Sequence, residues 1–405
     1  MSITKTTSMK QVSNRLNNLA ESATLAMARK TRELKEKGLD IIGLSLGEPD
    51  FDTPDFIKDA AKKGIDENYT KYMAVNGYQD LREAIALKFK RDNNLAYKAS
   101  QIVVSTGAKQ SIANVVLSLI NPGDEVIIPA PYWVTYEEIV KLAEGIPVFI
   151  ETSIDNDFKI TPYELSQAIT SKTKLMIYSS PCNPTGSLYS KKELEGLATE
   201  IAQHPDMVVI SDEIYEHINF IGNHYSLANI PSVYNQVVTI NGVSKAFAMT
   251  GWRLGFIGAP QWIADACTKM QGQITSGASG ISQRAALAAV NAEPSVTFEM
   301  REAFRRRRDL MLEGLNKIEG VKTNIPEGAF YLFPDISSFF GKSNGNYKIE
   351  NSSDLTLYIL NEALVALVSG SAFGAPDCIR ISYAASDEEL VEALKRIKKV
   401  LDKLA

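Results

Sequence analysis

Residues 175–186 read Leu-Met-Ile-Tyr-Ser-Ser-Pro-Cys-Asn-Pro-Thr-Gly, residues 207–215 read Met-Val-Val-Ile-Ser-Asp-Glu-Ile-Tyr, and residues 237–245 read Val-Val-Thr-Ile-Asn-Gly-Val-Ser-Lys. Each is a short apolar run, rich in β-branched residues, that stops abruptly at polar or turn-forming residues. Runs of this kind, with no polar alternation, fit strands buried on both faces in a mostly parallel sheet. Outward from them, Ile102–Ser105, Glu125–Pro129 and Leu254–Gly258 carry the same signature as Leu175–Tyr178, Val208–Ser211 and Val237–Ile240. Amphipathic stretches between them, such as Ser111–Leu119 and Lys191–Gln203, read as helices, and Asn121-Pro122-Gly123-Asp124 reads as a turn. Beyond residue 290 the alternation ends. A charge-rich helix is expected at Pro294–Ile318, an α+β region around Gly328–Pro334, Leu364–Val368 and Cys378–Ser382, and a last helix at Asp387–Leu404. The expected class is α/β with a smaller α+β domain.

At 405 residues the chain exceeds what one hydrophobic core usually serves, so two domains are expected. The division read here is 1–54 for an N-terminal arm and part of the small domain, 55–300 for the large domain and 301–405 for the small C-terminal domain. A net charge of -5 argues against sequence-independent nucleic-acid binding, which needs a basic surface. The polar stretch from Met1 to Asn18 lacks the apolar run of a secretory signal, and no apolar segment of membrane-spanning length is found. Cys182, Cys267 and Cys378 are too scattered for a disulfide framework, which suits a reducing cytoplasm. His204, His217 and His224 show neither HExxH spacing nor paired carboxylates, so no metal site is expected.

Four motifs follow one another in order: Ser-Pro-Cys-Asn-Pro-Thr-Gly at 180–186, Ser-Asp-Glu-Ile-Tyr at 211–215, Ser-Lys at 244–245 and Gly-Trp-Arg at 251–253. They supply an amide, a carboxylate, a phenol, an amine and a guanidinium. That set is what a protein needs to hold pyridoxal phosphate and use it as an electron sink. Their order and wording resemble the fold-type I, class I aminotransferases, and within them the bacterial aspartate aminotransferase group. The likeness runs from about Leu16 to about Arg396. It implies pyridoxal 5'-phosphate as cofactor, amino acids and 2-oxo acids as substrates, a helix-covered, mostly parallel sheet of the seven-stranded type, and a homodimer with shared active sites.

The resemblance also implies roles. Lys245 matches the Schiff-base lysine, later the proton carrier; its uncharged surroundings favour a neutral amine. Asp212 matches the partner of the protonated pyridine nitrogen and sits at the carboxyl end of a strand, where such sheets bind ligands. An aspartate there also suits a helix N-cap. Tyr215 and Asn183 match donors to the ring's O3′. Gly107, Ala108 and Lys109 open a helix after a strand, a place where amides meet anions, and Ser244, Arg253 and Tyr72 match the phosphate ligands, Tyr72 reaching across from a neighbouring subunit. Trp133 would stack on the pyridine face or serve as a core residue. Arg380, inside the apolar run Cys-Ile-Arg-Ile-Ser, matches the arginine that grips the substrate α-carboxylate, with Gly47 offering an amide. Lys109 is associated with a side-chain carboxylate, and Arg15 matches an arginine of members that also use prephenate; both also fit exposed helix-end charges.

One departure stands out. Glu21-Ser-Ala-Thr replaces the usual Pro-Ser-x-Thr ahead of the N-terminal lid that includes Thr24. Amino-group transfer between L-aspartate and 2-oxoglutarate is the favoured reaction, with prephenate or neutral and aromatic amino acids as alternatives. A pyridoxal phosphate lyase is disfavoured by the pairing of Arg380 with Lys109. A cofactor-sensing transcription regulator is disfavoured because no basic helix-turn-helix precedes the large domain.

Overall fold

The computed structural model describes residues 12–222 and 224–405, so the first eleven residues of the N-terminal arm lie outside the described residues. Seven strands form one sheet: β1 Ile102–Ser105, β2 Glu125–Ala130, β3 Ile146–Glu151, β4 Thr173–Ser179, β5 Val208–Asp212, β6 Val237–Gly242 and β7 Gly255–Gly258. Their spatial order is β1-β7-β6-β5-β4-β2-β3. β7 runs antiparallel to β1 and β6, and every other pairing is parallel. In β1, β5, β6 and β7 every residue is buried, which is why these strands carry no polar alternation.

Six of the seven strands fall where the sequence places them. The seventh, β3, was not expected. It is one edge of the sheet, its Ile146-Pro-Val-Phe-Ile-Glu run is mostly exposed or half-buried, and a proline interrupts it, so neither the buried-run nor the alternating signature applies. The helix expected at Pro294–Ile318 is also corrected: a short 3₁₀ turn covers Pro294–Thr297 and the α-helix runs over Phe298–Leu315.

Six helices matter for the site: α1 Ala23–Glu36, α2 Gln79–Asn93, α3 Ala108–Leu119, α4 Thr135–Leu142, α5 Phe298–Leu315 and α6 Asp387–Leu401. One face of the sheet packs Ile127, Met176 and Val209 against apolar residues of α2, Phe89 among them; the other packs Val126, Ile177 and Ile210 against Val115 of α3 and Ile139 of α4. A further core joins Ile42 and Leu44 to α5, α6 and a three-stranded antiparallel sheet, β8 Tyr331–Leu332, β9 Val368–Ser369 and β10 Ile379–Ser382. Ile214, Tyr215 and Ile218, just past β5, belong to this core. The chain after β5 thus leaves one packing unit and enters the other, and the cavity lies at that passage.

Candidate active site

The carboxyl ends of β4, β5 and β6 lie in register, with Ser179 opposite Asp212 and Asp212 opposite Ile240. A cavity of about 300 Å³ opens beyond them. Its walls include Gly47, Ala108, Lys109, Trp133, Asn183, Asp212, Tyr215, Ser244, Lys245, Arg253 and Arg380, so eleven side chains or backbone sites expected from sequence converge on one space. Residues more than 330 positions apart meet here because a parallel sheet gathers its loops at one end.

Asp212 is 4% exposed. Tyr136 Oη, from α4, donates to its Oδ2 at 2.7 Å, and the Ile214 amide donates to Oδ1 at 3.2 Å. Burial pushes the carboxyl up to about 6, against the pull of those two donors. Lys245 Nζ donates to the Gly47 carbonyl at 2.5 Å. Burial lowers its amine to about 8, with Glu48 opposing and the Arg380 and Arg253 charges assisting. An amine lowered this far is partly neutral near neutral pH and able to attack an aldehyde.

Arg380, on β10, is 1% exposed and bonds to no carboxylate among the described residues. Its Nη1 donates to Asn183 Oδ1 at 2.9 Å and its Nη2 to the Ser45 carbonyl at 2.5 Å, while Nε has no partner among the described residues. The guanidinium lies against the rings of Tyr331 and Phe373, 4.6 and 4.9 Å from their centroids. A buried, unpaired guanidinium is costly unless an anion joins it. Tyr215 Oη shares a 2.7 Å hydrogen bond with Tyr331 Oη.

At the other wall Gly107 stands at the N-cap of α3, and its φ of 83° is open to glycine and strained for other residues. A Cβ there would run into the Arg253 guanidinium. No side chain caps this helix and its first turn holds no acidic residue, so its amides face the space beside Arg253 and the buried Ser244. Helix amides, a guanidinium and a hydroxyl make an anion cradle. Lys109 Nζ sits 4.9 Å from the Trp133 ring centroid, its amine lowered by burial and then by the Arg253 charge. Trp133 is half-buried on the cavity wall, packed edge-on against Tyr136, rather than enclosed in the core.

Two expected residues stand elsewhere. Arg15 is exposed and pairs with Glu144 at 3.3 Å, and Tyr72 is 98% exposed beside Tyr69, Met73 and Gly280, away from the cavity of its own chain. At the lid, Glu21 forms an ion pair with Arg29, while Ser22 and Thr24 reach the cavity wall, Thr24 Oγ1 being buried without a partner among the described residues. The sequence does not single out Tyr136 or Tyr331. Tyr331 lies in an apolar strand that reads as core, and Tyr136 carries no local mark beyond standing three residues after Trp133.

The reading of the histidines is corrected. His224 Nε2 lies 2.9 Å from Glu213 and His217 Nε2 lies 3.1 Å from Glu216, so both have carboxylate company that chain spacing concealed. Asp92, Glu216 and His217 bring potential ligand atoms within 4.8 Å of one another. The Lys88 ammonium is already bound to Glu216, and Arg91 to Asp92, so resident cations meet these charges.

The chain is 49% identical over 395 residues to the bifunctional aspartate aminotransferase and glutamate/aspartate-prephenate aminotransferase of Petunia hybrida, covering 96% of this chain and 82% of that one. It is 46% identical over 395 residues to the aspartate/prephenate aminotransferase of Nitrosomonas europaea, covering 96% and 100%. Among solved structures, the aspartate aminotransferase from Rhizobium meliloti superposes with a TM-score of 0.94 at 42% identity, covering 98% of this chain and all of that one. The model of the aminotransferase class I and II family matches residues 39–397. With that match spanning the sheet, the cavity and both cores, the chain belongs to the class I and II aminotransferases.

Proposed function

We propose that this aminotransferase uses pyridoxal phosphate to move the amino group of L-aspartate to 2-oxoglutarate, giving oxaloacetate and L-glutamate. The observation that carries the substrate class is the placement of two cations, Arg380 and Lys109, on the walls of one cavity with no carboxylate bonded to either among the described residues. A dicarboxylate has one carboxylate for each. Arg380 takes the α-carboxylate through Nε, which lacks a partner, and a terminal nitrogen, as a guanidinium fork does. Lys109 takes the side-chain carboxylate beside Trp133.

The residues present also fit the cofactor. Gly107, Ala108, Ser244 and Arg253 form the anion cradle for its phosphate, Trp133 offers a ring face, Lys245 an amine and Asp212 a carboxylate. When bound, pyridoxal phosphate supplies an electron sink for the carbanion formed at the substrate α-carbon. Asp212 holds a proton on the pyridine nitrogen, and Tyr215 and Asn183 donate to the ring oxygen. Lys245, the anchor to the aldehyde, would take the proton from the substrate α-carbon as base and deliver it as acid to the former aldehyde carbon of the cofactor.

Further parts of this reading concern the whole protein: a division at 1–54, 55–300 and 301–405, supported by the separate packing of the sheet and of the α5–α6 core; a homodimer in which Tyr72 serves the partner's phosphate site, supported by its exposure far from its own cavity; and a place in the cytoplasm. Among the described residues no helix is long and apolar enough to cross a membrane. A second acceptor, prephenate, is supported by the relatives named for that activity. Arg15 would serve it only after leaving Glu144.

A half-reaction screen tests the proposal. Aspartate and glutamate should convert the cofactor band to that of the amine form much faster than alanine or phenylalanine. Charge-assisted hydrogen bonds contribute about 1.5–3 kcal/mol, so Lys109→Ala should cost aspartate roughly tenfold to several hundredfold in kcat/KM and alanine little. Equal losses for all amino acids would refute the dicarboxylate assignment, and a wild-type protein with no convertible band would refute the reaction.

A further inference from the structure

The segment after β5 has two faces. Asp212, Ile214 and Tyr215 line the cavity, whereas Glu213 and Glu216 turn away from it into a buried ionic cluster. Glu213 is 1% exposed; its Oε1 accepts from Ser211 Oγ at 2.8 Å and Ser226 Oγ at 2.6 Å, and its Oε2 lies 2.9 Å from His224 Nε2. Glu216 binds Lys88 Nζ and Asn93 Nδ2, both from α2, and Lys88 also donates to Asn93 Oδ1 at 2.7 Å. Two carboxylates buried this deeply need cations beside them. Lys88 serves Glu216, and His224 serves Glu213.

The charged groups acting on His224 are Glu213, Glu216 and Lys88; Asp92 and His217 lie beyond them in the same cluster, and Arg91 of α2, Glu293, and Arg301 of α5 line the same pocket as His224. Burial disfavours a charged His224, but Glu213 and then Glu216 outweigh burial and the Lys88 charge, and its pKa is raised. Glu213 also acts on its neighbour in sequence, favouring the protonated form of Asp212. No step of transamination calls for a carboxylate or an imidazole behind the sheet, so this cluster stands outside the reaction described above.

Taking Asp212 as the pyridine partner, as above, we propose that Glu213 and His224 are positioning residues: their charge pair fixes Asp212 from behind and sets how firmly it holds its proton partner, while Glu216 and Lys88 lock the same segment to α2. With His224 protonated the pair is close to neutral, and the Glu213 field at Asp212 is compensated. Removing one charge therefore pushes the site in one direction and removing the other pushes it back.

The test is the pH titration of the bound cofactor's visible absorption in the holoenzyme, with cofactor content and thermal unfolding recorded for each variant. Glu213→Gln keeps an acceptor for Ser211 and Ser226 and removes the negative charge beside Asp212. Its absorption midpoint should fall by on the order of half to one pH unit. His224→Gln leaves Glu213 unpaired, and its midpoint should rise by a similar amount. The double variant should return to within about 0.3 units of wild type, since the two sites act on one field. Glu213→Asp, which keeps the charge, should restore the midpoint, and in Glu213→Gln kcat should fall with KM nearly unchanged. Midpoints that stay in place, or move the same way in both single variants while cofactor content is normal, overturn the proposal. That outcome leaves the transaminase reading intact, whereas a wild-type protein without a cofactor band removes the reading itself.

Discussion

Tyr136 shows at the scale of one residue how the site's acid chemistry is adjusted. Asp212 sits in surroundings that favour its neutral form, up to about 6, and Tyr136 is the one side-chain donor among the described residues holding the carboxylate ionised. Removing a hydrogen bond to a charged, buried acceptor leaves that acceptor more costly to ionise. Tyr136→Phe should therefore move the acid limb of the kcat–pH profile to higher pH. At pH 7 turnover should drop on the order of tenfold, while KM for aspartate changes little. An acid limb left in place would mean that the Ile214 amide alone keeps Asp212 ionised. Burial of the phenol pushes the Tyr136 pKa well up, so it stays a donor across the working range.

At the scale of elements, caps and ion pairs hold the cavity's second wall. Ser386 caps α6, its Oγ accepting from the Glu389 amide at 3.2 Å, and Glu389 answers from its side chain in a capping box. The next residue, Asp387, pairs with Arg306 and Arg307 of α5, and Arg307 also grips Asp50 through two hydrogen bonds of 2.7 and 2.8 Å. Asp50 follows the Gly47 turn that receives Lys245, so α5 and α6 brace the loop at the cavity mouth. Ser386→Ala should destabilise the protein by about 1 kcal/mol, as loss of a serine cap does. The check is the urea midpoint at constant slope; an unchanged midpoint would show that Asp387 alone secures the helix start. The start of this helix at Asp387 was legible in the sequence, but the Asp50–Arg307–Asp387 chain was not, because its links join residues 257 and 80 positions apart.

At the scale of the whole molecule, Tyr72 matters most. A tyrosine 98% exposed is unusual for a residue matched to a cofactor ligand, and it is explained if a partner chain covers it. In a dimer with shared sites, a hybrid of Lys245→Ala and Tyr72→Ala subunits carries one site with both groups intact. Random reassociation makes half the dimers hybrid, so two inactive parents should together recover about a quarter of wild-type activity. No recovery, or a monomer at working concentration, would mean that each chain builds its site alone.

What the sequence determined by itself was local and chemical. Unbroken apolar runs ending in polar turns specify strands buried on both faces, and six of the seven strands of the sheet follow from that pattern. The residues with distinctive chemistry in improbable settings, Lys245 among uncharged neighbours and Arg380 inside an apolar strand, also declared themselves. What only the tertiary structure decided was company. β3 stayed hidden because an exposed edge strand with a proline lacks both strand signatures. Tyr136 and Tyr331 looked like ordinary aromatic residues until the fold put their hydroxyls on Asp212 and Tyr215. His224 and Glu213, eleven positions apart on a winding loop, became a buried pair. Pairing of this kind depends on distances through space, and chain spacing encodes those distances only within a helix turn or between adjacent strand residues.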